Sequence, residues 1–187
     1  DSVGFDMYSQ LLKEAIDQRK GVTDSEKIHE VEIDVELDAY LPDAYISDSR
    51  QKIEIYKRFR GLESLEEIEE LQEELVDRFG EYPKEVQYLL KISEIKLLAR
   101  MEKIDSIKQQ KQQVTMLFSE VASQQIQVMK LSQLVAKYGR HVGAGQEGIK
   151  FKLVLHVNKM TEDEWLNLMK ELLQQLSNLK KENVSAS

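Results

Sequence analysis

Ile28-His29-Glu30-Val31-Glu32-Ile33-Asp34-Val35-Glu36-Leu37-Asp38-Ala39-Tyr40-Leu41 is the stretch that decides the fold class. Val31, Ile33, Val35, Leu37, Ala39 and Leu41 are apolar, and Glu30, Glu32, Asp34, Glu36 and Asp38 fill the places between them. Successive side chains on a strand point to opposite faces, so the stretch predicts a strand with one buried face and five carboxylates in solvent. It opens a region in which strands and helices mix without a regular βαβ repeat. That pattern, with hairpin signals further on, predicts an α+β fold: a small, mostly antiparallel sheet packed with several helices.

Upstream of this strand, Val3, Met7, Leu11, Leu12, Ala15 and Ile16 recur at helical spacing, and Gly21 is a helix stop. Polar residues 22–27 then separate the helix from the strand. We expect residues 1–26 to be the end of a preceding unit plus a linker, and residues 27–187 to be the domain proper.

Downstream, Leu41-Pro42-Asp43 ends the pairing, because proline cannot donate a ladder hydrogen bond. A helix is predicted from about Ser49 to Arg60, stopped by Gly61. The next runs from a capping-box pattern at Ser64 and Glu67 to Gly80, with Leu65, Ile68, Leu71, Leu75 and Phe79 as its apolar stripe. Pro83 starts a third helix, which carries Val86, Leu89, Leu90, Ile92, Leu97, Leu98 and Met101. From Ile104 the period changes to two, and Ile107, Val114, Met116 and Phe118 suggest a hairpin around the tract Gln109-Gln110-Lys111-Gln112-Gln113. One further helix is expected up to Tyr138, then a glycine-containing turn from Gly143 to Gly148. A strand follows with Ile149, Phe151, Leu153, Leu155 and Val157 on one face. Thr161 and Glu164 cap a last helix whose stripe is Trp165, Leu168, Met169, Leu172, Leu173, Leu176 and Leu179. The tail after Lys181 is expected to fray. Lys150 and Lys152 oppose the apolar face of their strand, as the acids do in theirs, so the two strands are expected to be neighbours joined by lysine–carboxylate pairs.

A chain of 187 residues can bury roughly 70% of its unfolded surface and needs no crosslink to fold. Cysteine is absent, which excludes disulfides and thiolate metal sites and fits a reducing, cytoplasmic setting. No apolar run is long enough to span a membrane, and no signal-peptide pattern opens the chain. The net charge of −8 opposes electrostatic binding to nucleic acid and favours a basic protein surface as partner.

No catalytic constellation is found, and no cofactor or metal site is expected. The acids of residues 30–38 stand about 6.6–6.8 Å apart along one face of an extended strand, too far to converge on one cation. His29, His141 and His156 lack ligand spacing. The glycines at 143, 145 and 148 match GxGxxG but lead into a strand, so no helix N-terminus is offered to a phosphate. Glu74, Asp77 and Arg78 are the candidate site. Their i, i+3, i+4 spacing places them on one helical face, either as an intrahelical Glu74–Arg78 pair or as a patch that meets an arginine-bearing partner.

The run from Val35 to Ile46, the segment Lys52-Ile53-Glu54-Ile55-Tyr56-Lys57-Arg58, and Glu70 to Gly80 with Tyr82-Pro83 resemble the C-terminal domain of bacterial transcription-repair coupling factors. Val3 to Leu12 resembles the closing helix of that family's translocase motor. The resemblance implies a regulatory domain over 27–187 that neither hydrolyses ATP nor tracks on DNA. In the family the full-length protein is an ATP-driven translocase on double-stranded DNA that displaces stalled RNA polymerase and recruits excision repair. Its C-terminal domain packs on an N-terminal UvrB-like module, covers the surface that recruits UvrA, and restrains activity. Carried onto this sequence, the family contacts fall on Glu74, Asp77 and Arg78, facing basic residues of that module. Two rival readings are a metal-dependent hydrolase using the acidic strand, and nucleic-acid binding through Lys130, Lys137, Arg140, Lys150 and Lys152.

Overall fold

The computed structural model describes residues 29–182. The helix and linker expected over residues 1–26 lie outside that range, as does most of the tail. Within it, the chain forms two compact units, one of residues 29–30 and 36–97, the other of residues 31–35 and 98–182.

The first unit is helical. Asp48 caps helix α1 (Ser49–Arg60), its side chain accepting from the amides of Arg50 and Gln51, and the Gly61 N–H closes the last turn onto Lys57. Helix α2 (Leu65–Phe79) starts at Ser64, whose Oγ accepts from the Glu67 amide at 3.2 Å. The Glu67 carboxylate does not return to Ser64, as the expected box requires; it accepts from the amide of Glu63 instead. Ile68, Leu71 and Leu75 are buried, whereas Leu65 at the open first turn is exposed. Helix α3 (Lys84–Met101) follows Pro83 and is buried around most of its circumference, which explains why its apolar residues show so little one-sidedness. Met101, at its last turn, is exposed.

The second unit holds a five-stranded sheet in the order β1-β2-β3-β5-β4. Strand β1 is Glu32–Asp34, β2 Ile104–Gln110, β3 Gln113–Phe118, β4 Val142–Glu147 and β5 Lys150–His156. Only β1 and β2 run parallel; every other pairing is antiparallel. The six α-helices among the described residues with this sheet make the α+β fold that the sequence predicts. Helices α4 (Glu120–Gln125), α5 (Val128–Ala136) and α6 (Glu162–Gln175) complete the unit. Thr161 and Glu164 form a complete capping box at the start of α6.

Further expectations are corrected. The long acidic strand pairs over three residues only, yet its side chains keep alternating between buried and exposed from Val31 to Ala39, with Leu41 buried again. Alternation reports a half-buried extended chain, and hydrogen bonding needs a neighbour as well. The acidic and lysine-bearing strands are not neighbours, because β2 and β3 lie between β1 and β5. Glu32 pairs with Lys108 at 3.4 Å, and Lys150 with Asp105 at 2.6 Å. The single helix expected before Tyr138 is two, broken where the Gln127 amide donates to Leu179 and the Lys181 amide to Gln125. Residues 142–147 are an edge strand, and the turn is confined to Gly148-Ile149, where φ is +61° at Gly148. Ile149 is therefore exposed instead of sharing the buried face of β5.

Candidate functional site

Helix α2 ends at Gly80, whose φ of +85° is open to glycine and strained for other residues. The one O–H of Tyr45 is shared between two carbonyls of this terminus, those of Leu75 and Gly80, at 3.0 and 2.8 Å. Orphan carbonyls at a helix end need such partners. The Tyr45 ring also meets Phe79 in a tilted contact with centroids 5.8 Å apart. Burial, and then the neighbouring Tyr82, raise the pKa of the Tyr45 hydroxyl, so it stays a neutral donor. One tyrosine thus pins the turn that carries Asp77 and Arg78.

The three candidate residues do not behave alike. Glu74 accepts from Arg58 Nη1 at 2.7 Å through one carboxylate oxygen and from Arg78 Nη1 at 3.0 Å through the other. Arg78 reaches on to Glu54 at 3.0 Å, and its guanidinium lies 4.9 Å from the centre of the Phe79 ring. The result is an alternating row, Arg58–Glu74–Arg78–Glu54, shared by α1 and α2. The hydrogen bond from Arg58, with help from Arg78, holds the Glu74 carboxyl below its ordinary pKa. Glu74, and then Glu54, raise that of Arg78. The intrahelical Glu74–Arg78 pair forms, and it does so at the surface, each side chain 31% exposed.

Asp77 stands apart from this row and is exposed. It lines an open groove of about 460 Å³ with Glu69, Gln72, Glu73 and Val76. Glu69, Glu73 and Asp77 repeat every four residues, so three carboxylates line the groove, while exposed Val76 gives it an apolar patch. An arginine side chain matches both, with its alkyl stem on Val76 and its guanidinium among the acids. Tyr82 marks one side, where its hydroxyl accepts from Gln72 at 2.6 Å.

Spacing within α2 could not identify Arg58, Glu54 or Tyr45, since all three come from elsewhere in the chain. Their only sequence signal is that Glu54 and Arg58 lie one helical turn apart, as Glu74 and Arg78 do.

Among the described residues, no group of three or more histidines, aspartates or glutamates could hold a metal ion. No helix there is long and apolar enough to cross a membrane. Of the basic residues in the nucleic-acid reading, Lys150 is engaged by Asp105.

Comparison with known proteins places these features in a context. Residues 35–129 match the family described as the TRCF domain. Over 187 residues the chain is 50% identical to the transcription-repair-coupling factor of Bacillus subtilis (strain 168), covering 100% of this chain and 16% of that protein. Over 174 residues it is 37% identical to the transcription-repair-coupling factor of Staphylococcus aureus (strain USA300), covering 92% of this chain and 15% of that one. The chain thus spans under a fifth of the length of the curated relatives it matches. A crystal structure of the C-terminal domain of a transcription-repair coupling factor superposes with a TM-score of 0.74 at 33% identity, over 80% of this chain and 93% of that one.

Proposed function

The chain belongs to the TRCF domain family, as the C-terminal domain of a transcription-repair coupling factor, and from that premise we propose that it is a non-catalytic, autoinhibitory clamp. Its partner is the UvrB-like module at the other end of the full-length protein. The clamp masks the surface of that module which recruits UvrA, and lets go when the protein engages stalled RNA polymerase. Residues 27–187 form the regulatory domain, and residues 1–26 end the motor that translocates on double-stranded DNA. The setting is the cytoplasm.

The groove at Asp77 carries this reading. Three carboxylates around one exposed valine suit a basic, arginine-bearing surface, while the neighbouring row from Arg58 to Glu54 presents both signs of charge in a fixed order. A clamp has to release, and a polar, charge-matched contact releases more readily than a large apolar one. Masking by a factor of ten needs only about 1.4 kcal/mol, within reach of a few charge-assisted contacts.

The test is a pull-down of this chain on the separate UvrB-like module at low and physiological salt, with Asp77→Arg as the variant. Capture that weakens with salt and fails in the variant supports the clamp. In the full-length protein, Asp77→Arg with Arg78→Glu should raise UvrA binding while the domain stays folded. Unchanged UvrA affinity in a folded variant rejects the contact.

A further inference from the structure

Strand β4 is an edge of the sheet: it pairs with β5 on one side, and among the described residues no strand lies on the other. A two-residue loop joins the two strands, so Glu147 and Lys150 form a hydrogen-bonded pair and the ladder alternates from there. Gly143, Gly145 and Glu147 therefore direct their backbone groups at β5. Val142, Ala144 and Gln146 direct theirs away from the sheet. The alternation is consistent along β5, where the Val157 amide faces the opposite way and donates to Gln112 at 2.9 Å.

Edge strands commonly resist pairing by lysine, proline, a bulge or brevity. The other edge follows this rule, since β1 is three residues long and two of them are acids. By contrast β4 reads Val-Gly-Ala-Gly-Gln-Glu, six residues in unbroken register with β5 and with one charge at its end. Ala144 and Gln146 are exposed.

We propose that β4 pairs with β4 of a second copy of this chain, antiparallel about a two-fold axis at Ala144. The backbone sets the register. With Ala144 opposite Ala144 and Val142 opposite Gln146, every outward group of both strands finds a partner, and any other two-fold register leaves some unpaired. Between these pairs Gly143 meets Gly145, so no side chains collide at the positions where strands approach most closely. Beyond the strand ends, Glu147 of each copy comes beside exposed His141 and Arg140 of its mate. The strand is thus complementary to itself in hydrogen bonds, in bulk and in charge. A contact of this size gives weak, reversible association. It goes beyond the clamp, using a different unit of the chain, and neither proposal depends on the other.

The chain has no cysteine, which makes a clean test available. Facing residues of a hydrogen-bonded antiparallel pair stand about 5.5 Å apart at Cα, inside the range of about 4.4–6.8 Å that a disulfide spans. Ala144→Cys should therefore crosslink to a dimer under mild oxidation, and the surface control Gln133→Cys should not. Without crosslinking, sedimentation equilibrium should show a monomer–dimer equilibrium. Ala144→Pro, which removes only an outward N–H, should raise its dissociation constant at least tenfold. If Ala144→Pro does not fold, Gln146→Lys takes its place. Glu147→Lys should weaken the dimer, and adding Arg140→Glu should restore it. A chain that stays monomeric up to about 1 mM, above the range of specific weak contacts, overturns the proposal. So does a dimer that the folded edge variants leave untouched, or crosslinking as efficient at Gln133 as at Ala144.

Discussion

Arg58 on α1 holds Glu74 on α2 at 2.7 Å, so the most central carboxylate of the candidate surface already has an internal partner. Asp77, one turn further on, is exposed and lines the acidic groove. Internal pairing divides the roles. In the proposed clamp, Glu74 and Arg78 keep the surface in one arrangement, and exposed Asp77 meets the partner. We predict that Asp77→Ala changes the stability of the chain by less than about 0.5 kcal/mol but weakens capture of the UvrB-like module at least tenfold. Glu74→Gln should do the reverse first, costing up to about 1 kcal/mol of stability because it loosens a surface pair. Urea denaturation and a binding titration on the same preparations separate the two. Equal binding losses without any stability difference would refute the division.

Tyr45 offers a second test, because its hydroxyl serves two carbonyls of the α2 terminus while its ring packs on Phe79. Tyr45→Phe keeps the ring and deletes the shared hydrogen bond. The expected cost is about 1 kcal/mol, the net worth of a partly buried hydrogen bond plus what water fails to replace. Amide exchange should accelerate from Val76 to Gly80 and leave the first turns of α2 unchanged. Uniform acceleration along the whole helix would mean that Tyr45 does not act locally.

Gly80 ends the same helix with φ at +85°, and a Cβ added there would touch nothing within 4 Å. The penalty for Gly80→Ala is therefore conformational and not steric: with ψ at −172° the backbone lies in a region that is essentially reserved for glycine, at roughly 1–3 kcal/mol for other residues. Thermal or urea unfolding measures it directly. Gly61 is the natural control. It also ends a helix, but its φ is −86°, so Gly61→Ala should cost markedly less.

These residues also show where the sequence is informative. Glu74 and Arg78 could be paired from their spacing, because one helix brings them together. Arg58 and Glu54 could not, because their approach depends on how α1 packs on α2. The same division runs through the fold. Alternation from Val31 to Leu41 correctly reports which side chains are buried, but not that only Glu32–Asp34 finds a neighbouring strand. The break between α4 and α5 is invisible locally, since it depends on bonds from Gln127 to Leu179 and from Lys181 to Gln125. Glycines at 143 and 145 suggest a turn because glycine is common there. In β4 their small size has another use, and a Cβ at Gly145 would come within 3.1 Å of the Lys152 side chain lying across the strand.

Acid should remove the contribution of Glu74 in a defined way. Its carboxyl has a lowered pKa in the folded chain, chiefly through Arg58, against an ordinary glutamate value of about 4.3 in the unfolded chain. Above that value both states are ionised and the bonds to Arg58 and Arg78 contribute in full. As pH falls through about 4.3 the unfolded chain takes up its proton first. The advantage of the folded state then shrinks, and it is gone once pH passes below the lowered folded value. A protonated Glu74 resembles a glutamine, so the stability gap between the wild-type chain and Glu74→Gln should be widest near neutral pH and close in acid. Salt should narrow the gap at neutral pH as well, since the pair is partly exposed and screened. Urea midpoints measured for both chains across this pH range decide the matter. A gap that stays constant from neutral to acid would mean that the row from Arg58 to Glu54 owes its stability to packing and not to charge.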